Sequence, residues 1–191
     1  MVDAYLCNKK FDIDTVAITF DDGFKDNYTH AYPVLKKNNV PAAVFVASCF
    51  IGDKEGLSKD DMAIMQKGGI RFGAHTMTHK VLAELIRDAA VREICDSKSA
   101  LEEILQEKVN YFAYPYGKRG RDFTDETMQV VKDAGFIAAF ATDNGFITEE
   151  NDIFALKRIG VRNFPLFVLK ARLSGIFENS LIHIFRKCFR I

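Results

Sequence analysis

Apolar residues along this chain follow two alternating patterns. Short apolar runs, rich in β-branched and aromatic side chains, occur at Thr15–Phe20, Ala42–Ala47, Ile70–Gly73, Tyr111–Tyr114, Ile137–Thr142 and Lys157–Val161. Each predicts a strand. Between them the apolar positions recur at helical spacing, which predicts helices over Asp26–Asn38, Ser58–Lys67, Asp88–Gln106, Thr124–Ala134 and Pro165–Ile176. The punctuation agrees. Ser58 and Thr124 stand before acidic first turns (Asp60 and Asp61; Asp125 and Glu126), as helix N-caps do, and Gly68 and Gly135 lie where helices should stop. In the longest helix Ala89, Ala90, Val91, Ile94, Leu101, Ile104 and Leu105 form the apolar face, with Arg92, Glu93, Glu102 and Glu103 outside it. Strands alternating with helices of this length imply an α/β domain with a mainly parallel sheet, open or rolled into a barrel.

Composition narrows the class. The chain has 191 residues, 48% of them hydrophobic, enough for one domain with a buried core. Its 26 Lys and Arg balance its 26 Asp and Glu, which argues against a nucleic-acid binder with a basic surface. Cys7, Cys49, Cys95 and Cys188 are widely spaced without a C-x-x-C pair. They read as reduced, mostly buried thiols, with two disulfides as the alternative. No apolar stretch reaches the roughly 20 residues of a membrane span. Met1–Lys10 lacks a basic segment followed by an apolar one. As it stands the sequence is expected to be cytoplasmic, or extracytoplasmic if it is a piece of a longer exported protein.

The chemistry concentrates at predicted strand ends. Thr19-Phe20-Asp21-Asp22-Gly23 closes the first strand with two adjacent carboxylates, at the edge where α/β proteins collect ligands. Neighbouring Asp side chains there diverge, so one can hold a metal while the other handles protons. By itself an Asp-Asp-Gly triplet is usually a turn. A second segment, His75-Thr76-Met77-Thr78-His79, ends the third strand. On one helical turn two histidines four apart would face the same way and form a ligand pair. Two His with one carboxylate leave positions open for water and substrate. A third segment, Phe112-Ala113-Tyr114-Pro115-Tyr116-Gly117, is an aromatic turn able to wall a groove and aim backbone N–H groups at an oxyanion.

Taken in this order, the three segments resemble the polysaccharide deacetylases of the NodB-homology group, carbohydrate esterase family 4. The resemblance extends through Asp26–Leu35, Val40–Val46, Leu156–Ile159 and Leu173–Gly175. It implies a single-domain distorted (β/α) barrel over residues 1–191, with its N-terminal end left open as incomplete. It also implies removal of N-acetyl groups from an N-acetylated sugar in a polysaccharide, a lipid-linked glycan or a cell-surface glycan precursor. Asp21 would be the general base and Asp22, His75 and His79 the metal ligands. The backbone N–H of Tyr116 would help bind the oxyanion. The implied cofactor is a divalent ion, Zn²⁺ first, with Co²⁺, Ni²⁺ or Mn²⁺ as alternatives. Two other readings are an O-acetyl (acetylxylan-type) carbohydrate esterase and a non-catalytic glycan-binding relative.

The sequence also departs from the family's pattern. Many members place an Arg, paired with the catalytic Asp, where this chain has Asn110, and Arg158 is the proposed substitute. There is no Trp for the family's tryptophan-bearing wall, so residues of Phe140–Phe146 are the candidates for it. Asp143, in an Asp-Asn-Gly turn, is assigned no chemistry. The one late histidine, His183, is the weak candidate for general acid, although its apolar and basic surroundings suit a structural His better. Without it, Asp21 would pass its proton to the amine. His30 reads as structural. Residues 178–191 form an apolar and basic segment. Packing on the core or on a second subunit is the preferred reading, and peripheral contact with an anionic membrane is the alternative.

Overall fold

The computed structural model describes residues 16–174. Among them are five strands: β1 (Ile18–Phe20), β2 (Ala42–Val46), β3 (Arg71–Ala74), β4 (Tyr111–Ala113) and β5 (Ala138–Phe140). All neighbours are parallel and the spatial order follows the chain, β1-β2-β3-β4-β5. The main helices are α1 (Tyr32–Lys37), α2 (Lys59–Lys67), α3 (Arg87–Leu105), α4 (Asp125–Asp133) and α5 (Leu166–Leu173). The result is a curled half-barrel of the (β/α) type, and its strand ends share one rim.

A parallel sheet buries both faces, and β2 to β5 show it, while β1 at the open edge stays partly exposed. Val44, Val46, Phe112 and Ala139 pack on the helix side with Met62, Met65, Ile94, Leu101 and Val131. Phe45, Ala113, Ala138 and Phe140 point the other way and form a smaller inner cluster with Leu156. Each fully buried Leu, Ile or Met here contributes about 2 kcal/mol. Capping boxes at Ser58 and Thr124 start α2 and α4 as the sequence predicts.

Three expectations are corrected. The first helix is split: residues Asn27–Ala31 form a wide turn in which the Tyr32 N–H donates to the Asn27 carbonyl, ahead of α1. Pro33 has no N–H to give the carbonyl four residues back, so regular helix begins only around it. The predicted strand Lys157–Val161 does not form; the one bridge beside it, between Phe140 and Leu156, falls just before its start. The next ladder bond would run from the Arg158 N–H to the Ala141 carbonyl. Instead that N–H donates to Asp143, and the Arg158 side chain Nε takes the Ala141 carbonyl. Glu93, expected on the outer face of α3, is buried.

Cys49 is exposed and Cys95 half-buried, both free thiols. Cys7 and Cys188 lie outside the described residues, as do His183, the 178–191 segment and the end of the last predicted helix. Among the described residues no helix is long and apolar enough to cross a membrane.

Candidate metal centre and active site

The Asp pair leaves β1 through a strained turn. The Gly23 N–H donates to the Asp21 carbonyl at 2.9 Å, with Asp22 at the centre in a left-handed conformation, φ 70°. Gly23 has φ 80°, and a Cβ there would lie 2.8 Å from the Val46 side chain, so both backbone and space demand glycine. The turn sends the two carboxylates to different partners.

Asp22 faces the histidines. Its Oδ1 lies 3.4 Å from His75 Nε2 and 3.0 Å from His79 Nε2. The three ligand atoms all fall within 4.8 Å of one another. Hydrogen bonds from the His75 ring, then from His79, hold the Asp22 carboxyl well below the usual carboxylate range against the opposing effect of burial. The buried His75 ring makes a 2.7 Å hydrogen bond through Nδ1 to the Ala113 carbonyl. A carbonyl only accepts, so Nδ1 carries a proton; Nε2 donates to Asp22 when it too bears a proton, and in the neutral ring it is the nitrogen whose lone pair a metal would take.

The histidines do not converge on a helical turn, as their spacing predicts. They sit in an irregular loop after β3, with Thr76 at φ 68° and His79 at φ 56°. The His79 N–H donates to the Thr76 hydroxyl, closing the loop on itself. Glu93 of α3 then clamps it. Its carboxylate accepts from the Thr78 N–H and hydroxyl, and its carbonyl accepts from the Met77 N–H. Sequence reasoning missed Glu93, but the signal was there. Glu93, Ser97 and Leu101 recur every four residues and all are buried, so Glu93 belongs to the inward stripe.

Asp21 faces Arg158. Nη1 donates to Oδ1 at 2.7 Å and Nη2 to Oδ2 at 2.8 Å, a bidentate pair with a planar guanidinium. Arg158 is itself held by the Ala141 carbonyl, the Thr19 hydroxyl and the Phe45 ring. At Asn110 the structure shows a backbone contact, its carbonyl accepting from the Ile137 N–H.

Tyr116 ends the β4 side of the rim in a second strained turn. It has φ 61°, and the Gly117 N–H donates to the Pro115 carbonyl at 2.6 Å. Because the peptide is trans, this bond fixes the Pro115–Tyr116 plane and turns the Tyr116 N–H to the opposite side. The Thr142 hydroxyl holds the following carbonyl, and the Tyr116 ring lies 5.1 Å from that of His79.

The family model for polysaccharide deacetylases matches residues 8–139. The chain belongs to the polysaccharide deacetylase family. It is 32% identical over 154 residues to YxkH of Bacillus subtilis (strain 168), assigned by name to the polysaccharide deacetylases, covering 81% of this chain and 54% of that one. It is 26% identical over 185 residues to the poly-β-1,6-N-acetyl-D-glucosamine N-deacetylase of Staphylococcus aureus (strain MSSA476), covering 90% of this chain and 62% of that one. The chain therefore spans just over half the length of these curated relatives. Among solved structures, the Streptococcus pyogenes deacetylase PplD, in complex with acetate, superposes with a TM-score of 0.83 at 28% identity. That match covers 90% of this chain and 76% of PplD. IcaB from Ammonifex degensii gives 0.71 at 26% identity, covering 83% and 72%.

The family-model match ends at residue 139, before Arg158; the expected pairing of Arg158 with Asp21 is nonetheless present in the structure. Other candidates stay away from the centre. His30 is exposed, with Nδ1 on the Thr29 hydroxyl, beside a surface cleft lined by Ile18, Phe20 and Val34. Phe140 is buried against Phe45 and is no groove wall. Asp143 accepts from the Arg119 N–H and meets Lys118, a loop-bracing role.

Proposed function

We propose that this chain is a metal-dependent N-deacetylase that hydrolyses the acetamide of an N-acetylated sugar in a polysaccharide or cell-surface glycan precursor. The observation that carries the reading is the division between the paired aspartates. One carboxylate is committed to two histidines, the other to an arginine. A binding protein has no need of a separately held carboxylate beside a ligand set.

The residues fit a catalytic metal. Two imidazole nitrogens and one carboxylate oxygen form a mixed N/O donor set that leaves a position free. Ligands about 2.0–2.1 Å from a tetrahedral zinc stand about 3.4 Å apart, close to the separations of 3.4 and 3.0 Å found here. Asp22, His75 and His79 would hold the ion, Zn²⁺ by preference. When bound, such an ion acidifies water and polarises the acetyl carbonyl. Asp21 takes the proton from the attacking water, whose oxygen forms the new bond to the acetyl carbon. The Tyr116 N–H donates to the oxygen on which negative charge develops. The C–N bond breaks, and Asp21 returns the proton to the departing nitrogen, releasing acetate and a free amino sugar.

Acetate release from β-1,6- and β-1,4-linked N-acetylglucosamine oligomers tests the proposal. The Zn²⁺-loaded protein should liberate acetate in equal number with free amines, lose this on chelation and regain it with Zn²⁺. A metal-loaded protein that frees no acetate from any N-acetyl oligosaccharide contradicts the reading. Release only from O-acetylated xylan would make it an esterase.

Arg158 acts through Asp21 as a positioning residue. Arg158→Ala is expected to lower kcat about 100-fold, the scale of a displaced reacting group, with KM nearly unchanged. Arg158→Lys should restore only part, because an ammonium cannot make the two parallel bonds. Undiminished kcat in Arg158→Ala would remove the role.

A further inference from the structure

We infer that the exposed ring of Phe24, backed by Phe50, forms a second sugar-binding position along the polymer from the metal ligands, taking a sugar two residues away from the one losing its acetyl group. The inference rests on the proposed deacetylase reading and adds to it a preference for chains over single sugars. Four neighbouring rings form a continuous chain that includes a histidine of the centre. Phe24 and Phe50 are 5.3 Å apart, Phe50 and His79 6.1 Å, His79 and Tyr116 5.1 Å. A metal ligand thus sits within an aromatic wall whose two ends, Phe24 and Tyr116, are 39% and 54% exposed. Scattered apolar residues on a surface need no explanation, but rings continuous with a reaction centre mark a binding site.

The local structure holds Phe24 in this position. The Leu57 N–H donates to the Gly23 carbonyl and the Lys25 N–H to Glu55, and Phe24 bridges Gly56 between them. A Cβ on Gly56 would fall 1.6 Å from the Phe50 carbonyl oxygen. Only glycine lets this loop close onto Phe50, and that closure sets the Phe50 ring beside Phe24. The ring is therefore preorganised and loses little freedom when a ligand covers it. A pyranose presents a face of C–H groups that stacks on such a ring, while its hydroxyls stay in water. Each ring step is comparable to the width of one sugar, and Phe24 stands two steps from His79. The second residue along the same polymer therefore reaches Phe24 when the reacting sugar lies over His79 and Tyr116.

Calorimetry with N-acetylglucosamine and with its β-1,6- and β-1,4-linked trimers tests the inference. The Zn²⁺-loaded Asp21→Asn protein serves as host, so that turnover does not consume the probes. At least one trimer should bind more tightly than the monosaccharide. Adding Phe24→Ala should weaken trimer binding about tenfold, with monosaccharide affinity and Zn²⁺ content unchanged, whereas Phe24→Tyr should keep the trimer's advantage. Equal affinity of monosaccharide and both trimers, or an advantage that survives Phe24→Ala, overturns the inference. These outcomes are separate from the deacetylase reading, which fails instead if the unmutated metal-loaded protein frees no acetate.

Discussion

Asp21→Asn is expected to abolish most acetate release, lowering kcat by about a thousandfold, while Zn²⁺ content stays at the unmutated level. An amide of the same size cannot take the proton from water, so the loss falls on the chemical step. It also spoils the Arg158 contact. The guanidinium offers only donors, and here it donates to both carboxylate oxygens. An asparagine supplies one acceptor and turns an NH₂ toward the other donor. The metal ligands should not notice, because Asp22 meets His75 and His79 on the other branch of the turn. Elemental analysis with steady-state kinetics decides it. Unchanged kcat would remove Asp21 as base, and loss of zinc would show that the two carboxylates are not separate.

The second large effect is expected from His79→Ala. Its ring is one of only two nitrogen donors in the cluster, so its loss should weaken Zn²⁺ binding more than about 100-fold, beyond the range for outer-shell partners. Acetate release should fall with occupancy and recover partly at high Zn²⁺. His79 is the better test than His75. The His79 side chain is partly exposed, and the loop closure uses its backbone N–H, which alanine retains. His75 is buried with its ring bonded to Ala113, so removing it also opens a cavity in the sheet. Zinc titration with thermal melts of the metal-free proteins checks this. Equal affinity in His79→Ala would remove it as a ligand.

Much of the fold was readable beforehand. β2 and β4 each end one residue short of their predicted C-termini, and α2 and α4 begin at the predicted caps. These features are local: a strand's composition, a hydroxyl three residues from an N–H, a helical period. Where reading failed, a distant group had intervened. Arg158 turned a predicted strand into a side-chain anchor by occupying the Ala141 carbonyl. The Glu93 carboxylate went inward because the loop after β3 presents it with the Thr78 hydroxyl and N–H. No local pattern reveals partners that are far apart in the chain.

The sequence alone determined most of the element types, a mainly parallel sheet and the chemical identity of the donors: paired carboxylates and paired imidazoles at strand ends. Those follow from periodicity and residue type, and they survive any particular loop path. Tertiary structure decided which carboxylate meets which partner. In Asp21 and Asp22 two adjacent, chemically identical groups differ only in direction, set by a turn that Gly23 permits and Val46 confines. It also decided that the histidines converge through a left-handed loop, and that an arginine 137 residues away orients Asp21. Direction and proximity belong to the closed backbone, because hydrogen bonds and ligand sets require atoms within a few ångströms whatever their separation along the chain.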